Sequence, residues 1–88
     1  MLYSRPSHIE TSPVGDRVVL YDTVSRKAVV LNPTGAFLWA QLSTRSSVDE
    51  LAQKLQERFA GVEAARLRAD VEACLQSLIA QQLLHQEA

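Results

Sequence analysis

The chain has 88 residues, of which 47% are hydrophobic, and this size predicts a single domain over residues 1–88 with one modest core. A formal net charge of -1 leaves no sustained basic surface, which argues against a nucleic acid as partner. Cys74 is the only cysteine, and neither a signal peptide nor an apolar run of about 20 residues is present, so we expect a cytoplasmic protein with no intramolecular disulfide and no membrane partner.

The strand-forming residues come first in the chain. Residues 7–11, around Ile9, are predicted to form a weak first strand, because prolines on either side limit any longer element. Residues 17–22 and 27–31 are rich in β-branched side chains and flank a polar turn, so they are the predicted second and third strands. Both faces of these two strands are apolar, which indicates that each face is covered for at least part of the time.

Two helix starts follow the strands. Asn32 is a predicted N-cap with Pro33 at the first helical position, and this first helix runs to about Leu42. Ser47 and Glu50 form a capping box that opens the second helix, in which each side chain satisfies a backbone N–H of the first turn.

The third helix completes the predicted fold. Gly61 ends the second helix, and the third begins near Val62 or Glu63 and runs to about Gln82. Strands and helices are therefore segregated along the chain. This order predicts an α+β fold, a three-stranded antiparallel sheet followed by three helices, on the plan of a winged helix-turn-helix.

Side chains suited to catalysis are sparse. His8 and His85 lie near the two ends of the chain, away from any spacing that a metal site requires. Cys74 lies on the apolar stripe of the third helix, and its neighbours Ala73 and Leu75 offer no base to activate a thiolate. We therefore expect a protein that is not an enzyme and that has no metal ion and no cofactor.

The charges of the third helix bear on DNA binding. The helix carries Arg66 and Arg68 but also Glu63, Asp70 and Glu72, so it lacks the cluster of basic residues that releases counterions from DNA. A winged-helix DNA-binding regulator stays open as the alternative function, because dimeric or partner-assisted repressors tolerate weak charge on one domain.

Several short motifs occur in an ordered set. They are Val29-Val30-Leu31-Asn32, Thr34-Gly35-Ala36 before Leu38-Trp39, the helix start Ser47-Val48-Asp49-Glu50-Leu51-Ala52, and Asp70-Val71 followed by Leu75 and Leu78. Over about residues 16–84 the chain resembles the PqqD family, the leader-peptide recognition elements of ribosomally made, post-translationally modified peptides. The Asn-Pro-Thr-Gly-Ala run is most similar to the subfamily that works in lasso-peptide biosynthesis.

The resemblance implies a non-catalytic adaptor. Such a domain captures the leader of a precursor peptide and presents it to a leader peptidase, supplied as a separate chain, and to a macrolactam synthetase. In such folds the leader adds as an antiparallel strand to the exposed edge of the third strand, in a cleft beside the third helix. Main-chain groups of the edge supply affinity, and pockets at every second ligand residue supply selectivity.

The cleft wall is expected on the third helix. Val71 and Leu75 can face the core, while Leu67, Asp70 and Cys74 form a neighbouring stripe with the spacing i, i+3, i+7. The full set of predicted peptide-binding residues is Lys27, Ala28, Val29, Val30, Leu31, Leu67, Asp70, Val71, Cys74 and Leu75.

Each of these candidates has a plainer alternative. Asp70 either binds a basic or hydrogen-bonding group of the leader, or is a solvated carboxylate or an intrahelical partner of Arg66 or Arg68. Arg26 and Lys27 either meet acidic leader residues or are turn charges that discourage aggregation. For the three apolar edge residues the alternative is packing in the core alone.

Overall fold

The computed structural model describes residues 1–87 and confirms the α+β class. Its elements are β1 (Leu2–Ser4), β2 (Ile9–Val14), β3 (Arg17–Asp22), β4 (Ala28–Leu31), α1 (Pro33–Gln41), α2 (Val48–Arg58), α3 (Ala64–Ala80) and β5 (His85–Glu87). Strands β2, β3 and β4 form a three-stranded antiparallel sheet in that spatial order, as predicted, and the three helices follow it in the chain. The arrangement is compatible with the winged helix-turn-helix plan.

The first strand of this sheet begins and ends later in the chain than the predicted residues 7–11. It runs from Ile9 to Val14, and Val14 lies opposite Arg17 across a two-residue turn. Gly15 has φ 63° at the first central position of that turn, where glycine adopts a positive φ without steric conflict. Pro13 is tolerated because β2 is an edge strand of the sheet.

The turn between β3 and β4 is held by a buried carboxylate. Asp22 is only 5% exposed, and its Oδ1 accepts hydrogen bonds from the backbone N–H groups of Ser25 at 3.0 Å and Val24 at 2.9 Å. These bonds lower the pKa of the Asp22 carboxyl below its usual value, and the bond from Ser25 has the largest effect. Arg26 completes the turn with φ 63°.

Both predicted helix caps are present. Oδ1 of Asn32 accepts a hydrogen bond from the backbone N–H of Gly35 at 2.7 Å, and the Ser47–Glu50 capping box forms at α2. A Cβ atom at position 35 would lie 3.2 Å from that same Oδ1 atom. Gly35 therefore allows the close approach between the cap and the first turn of α1, which explains a residue of low helix propensity inside a helix.

The core lies between one face of the sheet and the three helices. Leu20 of β3 and Leu31 of β4 face it, and the indole N–H of Trp39 donates to Oγ1 of Thr11 at 2.8 Å, which links α1 to β2. The buried apolar residues are Tyr3, Leu20, Leu31, Leu38, Trp39, Leu42, Leu51, Leu55, Leu67, Val71, Leu75, Leu78, Leu83 and Leu84.

The opposite face of the sheet is open in this isolated chain. Val14, Tyr21 and Val30 are among its exposed apolar residues, and Val30 is 57% exposed. The doubly apolar strand pattern predicted cover on both faces, but in this chain the helices cover only one of them. Among residues 1–87, no helix has the length and apolar composition needed to cross a bilayer.

A second, two-stranded sheet joins the two ends of the chain. Strand β1 pairs antiparallel with β5, and Tyr3 exchanges backbone hydrogen bonds with Ser46 at 2.8 and 3.0 Å. Tyr3 of β1, together with Leu83 and Leu84 just before β5, is buried in the core. Neither strand was predicted from the sequence, because three residues are too few to show a strand period.

Candidate functional site

Strand β4 is an edge strand with one side free. It pairs with β3 through the register Val18–Leu31, Val19–Val30, Leu20–Val29 and Tyr21–Ala28, and no other strand within residues 1–87 pairs with it. A free edge of this kind is a template to which another backbone can add as a strand.

The hydrogen-bond pattern identifies the backbone groups at this edge. The N–H of Asp22 donates to the carbonyl of Lys27 at 2.9 Å, so these two residues form a hydrogen-bonded pair within the register of β3 and β4. Hydrogen-bonded and non-hydrogen-bonded pairs alternate along an antiparallel ladder. Val29 therefore bonds to β3, whereas the N–H and C=O groups of Ala28 and Val30 point to the free side.

A groove of about 540 Å³ runs between this edge and α3. Its β4 wall is formed by Val29, Val30 and Leu31, and the start of α1 closes one end. The α3 wall consists mainly of Asp70, Ala73, Cys74, Ser77 and Gln81. These five residues follow a helical stripe, and the small side chains at its centre leave the space that the groove occupies.

The groove continues past the end of α3. A further section of about 360 Å³ shares Val29 and Gln81 with the first, and it is lined by Ser25 and Lys27 on one side and Gln82 on the other. The two sections together extend along the whole of β4, which suits an extended peptide rather than a compact small molecule.

Two charged side chains of the groove, Asp70 and Lys27, have no ion-pair partners within residues 1–87. Asp70 is exposed, and no ion pair in that part of the chain includes it or Lys27. Arg68 instead pairs with Asp49 of α2 and with Glu72 at 3.5 Å. The plainer alternative in which Asp70 pairs with a neighbouring arginine of its own helix is therefore absent from this structure.

Cys74 lies on the α3 wall as a half-buried thiol. Burial raises its pKa, because desolvation disfavours the thiolate. A neutral thiol is a weak nucleophile, so this residue shapes the groove as a small apolar side chain.

The structure brings most of the predicted residues together. Val29, Val30, Leu31, Asp70 and Cys74 line the first section of the groove, Lys27 lines the second, and Ala28 adds backbone groups at the edge.

Leu67, Val71 and Leu75 are instead buried in the core, with exposures of 4%, 0% and 0%, and do not line the groove. For Leu67 the expected position in the cleft wall is corrected. It shares the stripe i, i+4, i+8 with Val71 and Leu75 and therefore faces inward with them.

Other residues of the groove were not predicted from the sequence. Ala73, Ser77 and Gln81 lie on the α3 wall, and Asn32 and Thr34 lie at the start of α1. The helical stripe through Asp70 and Cys74 was the available signal, because it passes through the first three of these positions.

The DNA-binding alternative gains no support from the structure. Asp49 and Glu72 both contact Arg68, and Asp70 lies free on the same helix. The exposed part of α3 therefore offers no basic surface for a phosphate backbone.

Comparison with known proteins gives one family and two similar structures. The profile of the PqqD family, described as coenzyme PQQ synthesis protein D, matches residues 17–84. Among curated proteins no relative was found. The chain is similar to TbiB1 in complex with the TbiA(beta) leader peptide, with a TM-score of 0.86 and 19% identity over 97% of this chain and 98% of that one. It is also similar to a lasso peptide synthetase B1 complexed with the leader peptide, with a TM-score of 0.83 and 24% identity over 96% of this chain and 98% of that one.

At these identities the two structures show a shared fold. The family match is stronger evidence of kinship, because it covers residues 17–84 and so includes β4 and α3, which form both walls of the groove. The family expected from the sequence motifs is thereby confirmed, and this protein belongs to the PqqD family.

Proposed function

We propose that this protein is a non-catalytic adaptor that captures the leader of a ribosomally synthesised precursor peptide. The observation that carries the proposal is the free edge of β4 beside an open groove. The leader adds as a fourth, antiparallel strand to the sheet and fills that groove with alternate side chains.

The backbone geometry supports a tolerant mode of capture. Ala28 and Val30 together offer two N–H and two C=O groups on the free side, and these bind any extended backbone except where proline intervenes. Selectivity then comes from the side chains that enter the groove between Val29 and the small residues Ala73 and Ser77. Affinity from the backbone and selectivity from the side chains suit an adaptor that must bind a disordered segment and release it again.

The similar structures suggest the pathway. Both are described as bound to a leader peptide, and one is described as a lasso peptide synthetase B1 protein. We infer that this chain serves lasso-peptide biosynthesis in the cytoplasm, where ribosomes make the precursor. Its further partners are then a leader peptidase on a separate chain and the macrolactam synthetase.

A binding titration tests the proposal. A fluorescein-labelled peptide with the leader sequence of a precursor gene beside the gene for this chain is titrated with the protein, and anisotropy is recorded. We expect saturable binding with a Kd that is roughly micromolar or tighter. A scrambled peptide of the same composition is the control, and equal affinity for both peptides would contradict specific capture.

A matched pair of variants then locates the binding site. Ala73→Phe places a ring in the groove, whereas Ala69→Phe makes the same change at an exposed position of α3 outside it. We expect the first variant to lose leader binding and the second to retain it, with similar unfolding midpoints for both. Equal affinities in the two variants would show that the leader binds elsewhere.

A further inference from the structure

The groove carries opposite charges at its two ends. Asp70 lines the section that also contains Asn32 and Thr34, whereas Lys27 lines the section that contains Gln82. Within residues 1–87 neither charged side chain takes part in an ion pair. A ligand in the groove therefore meets an acidic group at one end and a basic group at the other.

The neighbouring charges leave this polarity intact. Asp22 also lines the section with Lys27, but its carboxylate accepts two turn N–H groups and lies 3.7 Å from Nε2 of His8. Arg26 adds a second cation beside Lys27, and Arg66, one turn before Asp70 on α3, lines neither section.

The length of α3 gives the scale of the separation between the two ends of the groove. Ala80 lines the section with Lys27 and lies ten residues after Asp70, which is about 15 Å along a helix that rises ~1.5 Å per residue. An extended peptide covers that distance in four to five residues at ~3.3 Å each. Side chains on the same face of a strand are separated by an even number of residues, so the two charged residues of the ligand are four residues apart.

The direction of the ligand follows from the sheet. Every pairing in the β2-β3-β4 sheet is antiparallel, and antiparallel pairs are somewhat more stable per residue than parallel ones. Strand β4 runs from the end marked by Lys27 to the end marked by Asn32. An antiparallel ligand therefore has its N-terminal part beside Asp70 and its C-terminal part beside Lys27.

We propose that the groove selects peptides in which a basic residue is followed, four residues later, by an acidic residue. This inference rests on the proposed function and adds the charge order of the ligand to it. The correct order places each ligand charge beside its opposite, whereas the exchanged order places like charges together at both ends. The two ends thus fix the direction and register of a strand whose backbone bonds are indifferent to sequence.

A display selection tests the charge order with random peptides in place of the leader. A library of such peptides is selected on the wild-type protein and on Asp70→Asn and Lys27→Gln. Glu57→Gln and Lys54→Gln of α2 are the matched controls, because they remove a charge of each sign outside the groove.

We expect wild-type protein and both controls to enrich the basic-then-acidic pair with a spacing of four. Asp70→Asn should lose the basic preference alone, and Lys27→Gln the acidic preference alone. Enriched peptides without this charge order, or with the reverse order, would overturn the inference and leave leader capture standing. A selection that enriches no peptide at all would overturn both.

A pair of synthetic peptides gives the magnitude. One is an enriched sequence, and the other has its basic and acidic residues exchanged, so that composition is unchanged. We expect the exchanged peptide to bind about 2- to 25-fold more weakly, since each of the two exposed charge pairs contributes about 1.5- to 5-fold. The difference should shrink in 1 M salt, where the Debye length is about 3 Å. Equal affinities at low salt would overturn the inference.

Discussion

The substitution Val30→Pro tests the free edge of β4 most sharply. The alternation of the ladder points the N–H of Val30 away from β3, so a proline there removes no bond within the sheet. It does remove a donor for the added strand, and it places the pyrrolidine ring on the side where that strand must lie. One lost hydrogen bond of about 0.5–1.5 kcal/mol weakens binding by roughly 2- to 12-fold. Because the ring adds a steric conflict, we expect an increase of about tenfold in the leader Kd.

The assay compares this variant with Val29→Pro, the same change one residue earlier. Val29 lies opposite Leu20 in a hydrogen-bonded pair, so proline there breaks the bond to β3 and should lower the free energy of unfolding by about 1–3 kcal/mol. Leader affinity is measured by anisotropy and stability by urea unfolding. A Val30→Pro protein that unfolds at the wild-type midpoint and binds the leader with unchanged Kd would refute strand addition at this edge.

Three further predictions concern the fold that positions the groove. Leu67→Ala should lower the free energy of unfolding by about 2–5 kcal/mol in urea titrations, because Leu67 is a core residue; a loss of leader binding with unchanged stability would contradict that placement. Gly35→Ala should lower the same free energy by about 0.5–1 kcal/mol, because the added Cβ presses on the capping oxygen of Asn32, and a gain in stability would show that the cap adjusts freely. Because the pKa of Asp22 is lowered in the folded state, its contribution to stability is complete above its unfolded value of about 4 and is lost as the pH falls through its native pKa. Asp22→Ala should therefore reduce the fall in Tm at acidic pH. An unchanged fall would show that protonation of Asp22 does not cause it.

The parts of the fold that could be predicted are those with local chemistry. The N-cap Asn32 and the Ser47–Glu50 capping box place helix starts to within a residue, because side-chain oxygens satisfy the first backbone N–H groups. The β2–β3 turn also has a local signal, because Gly15-Asp16 is a dipeptide typical of two-residue hairpin turns. The β1–β5 ribbon had none, because its two three-residue strands pair across nearly the whole chain.

The groove could be predicted only in part for a related reason. Residues that line an empty space are small or polar, so Ala73 and Ser77 leave no apolar signature in the sequence. Leu67 was assigned to the groove because it belongs to two helical stripes, one through Asp70 and the other through Val71. Only the packing of α3 shows that it faces the core with Val71. The free edge of β4 was predictable from the family resemblance. Its free N–H groups can be identified only from the register between β3 and β4.

The central claim is that the free side of β4 receives the leader backbone, and amide hydrogen exchange tests it most directly. Exchange is followed by NMR with and without the leader peptide at saturating concentration. The account predicts that the amides of Ala28 and Val30 gain protection on binding, while that of Val29 is already protected by β3. A bound leader that leaves the exchange rates of Ala28 and Val30 unchanged would contradict it.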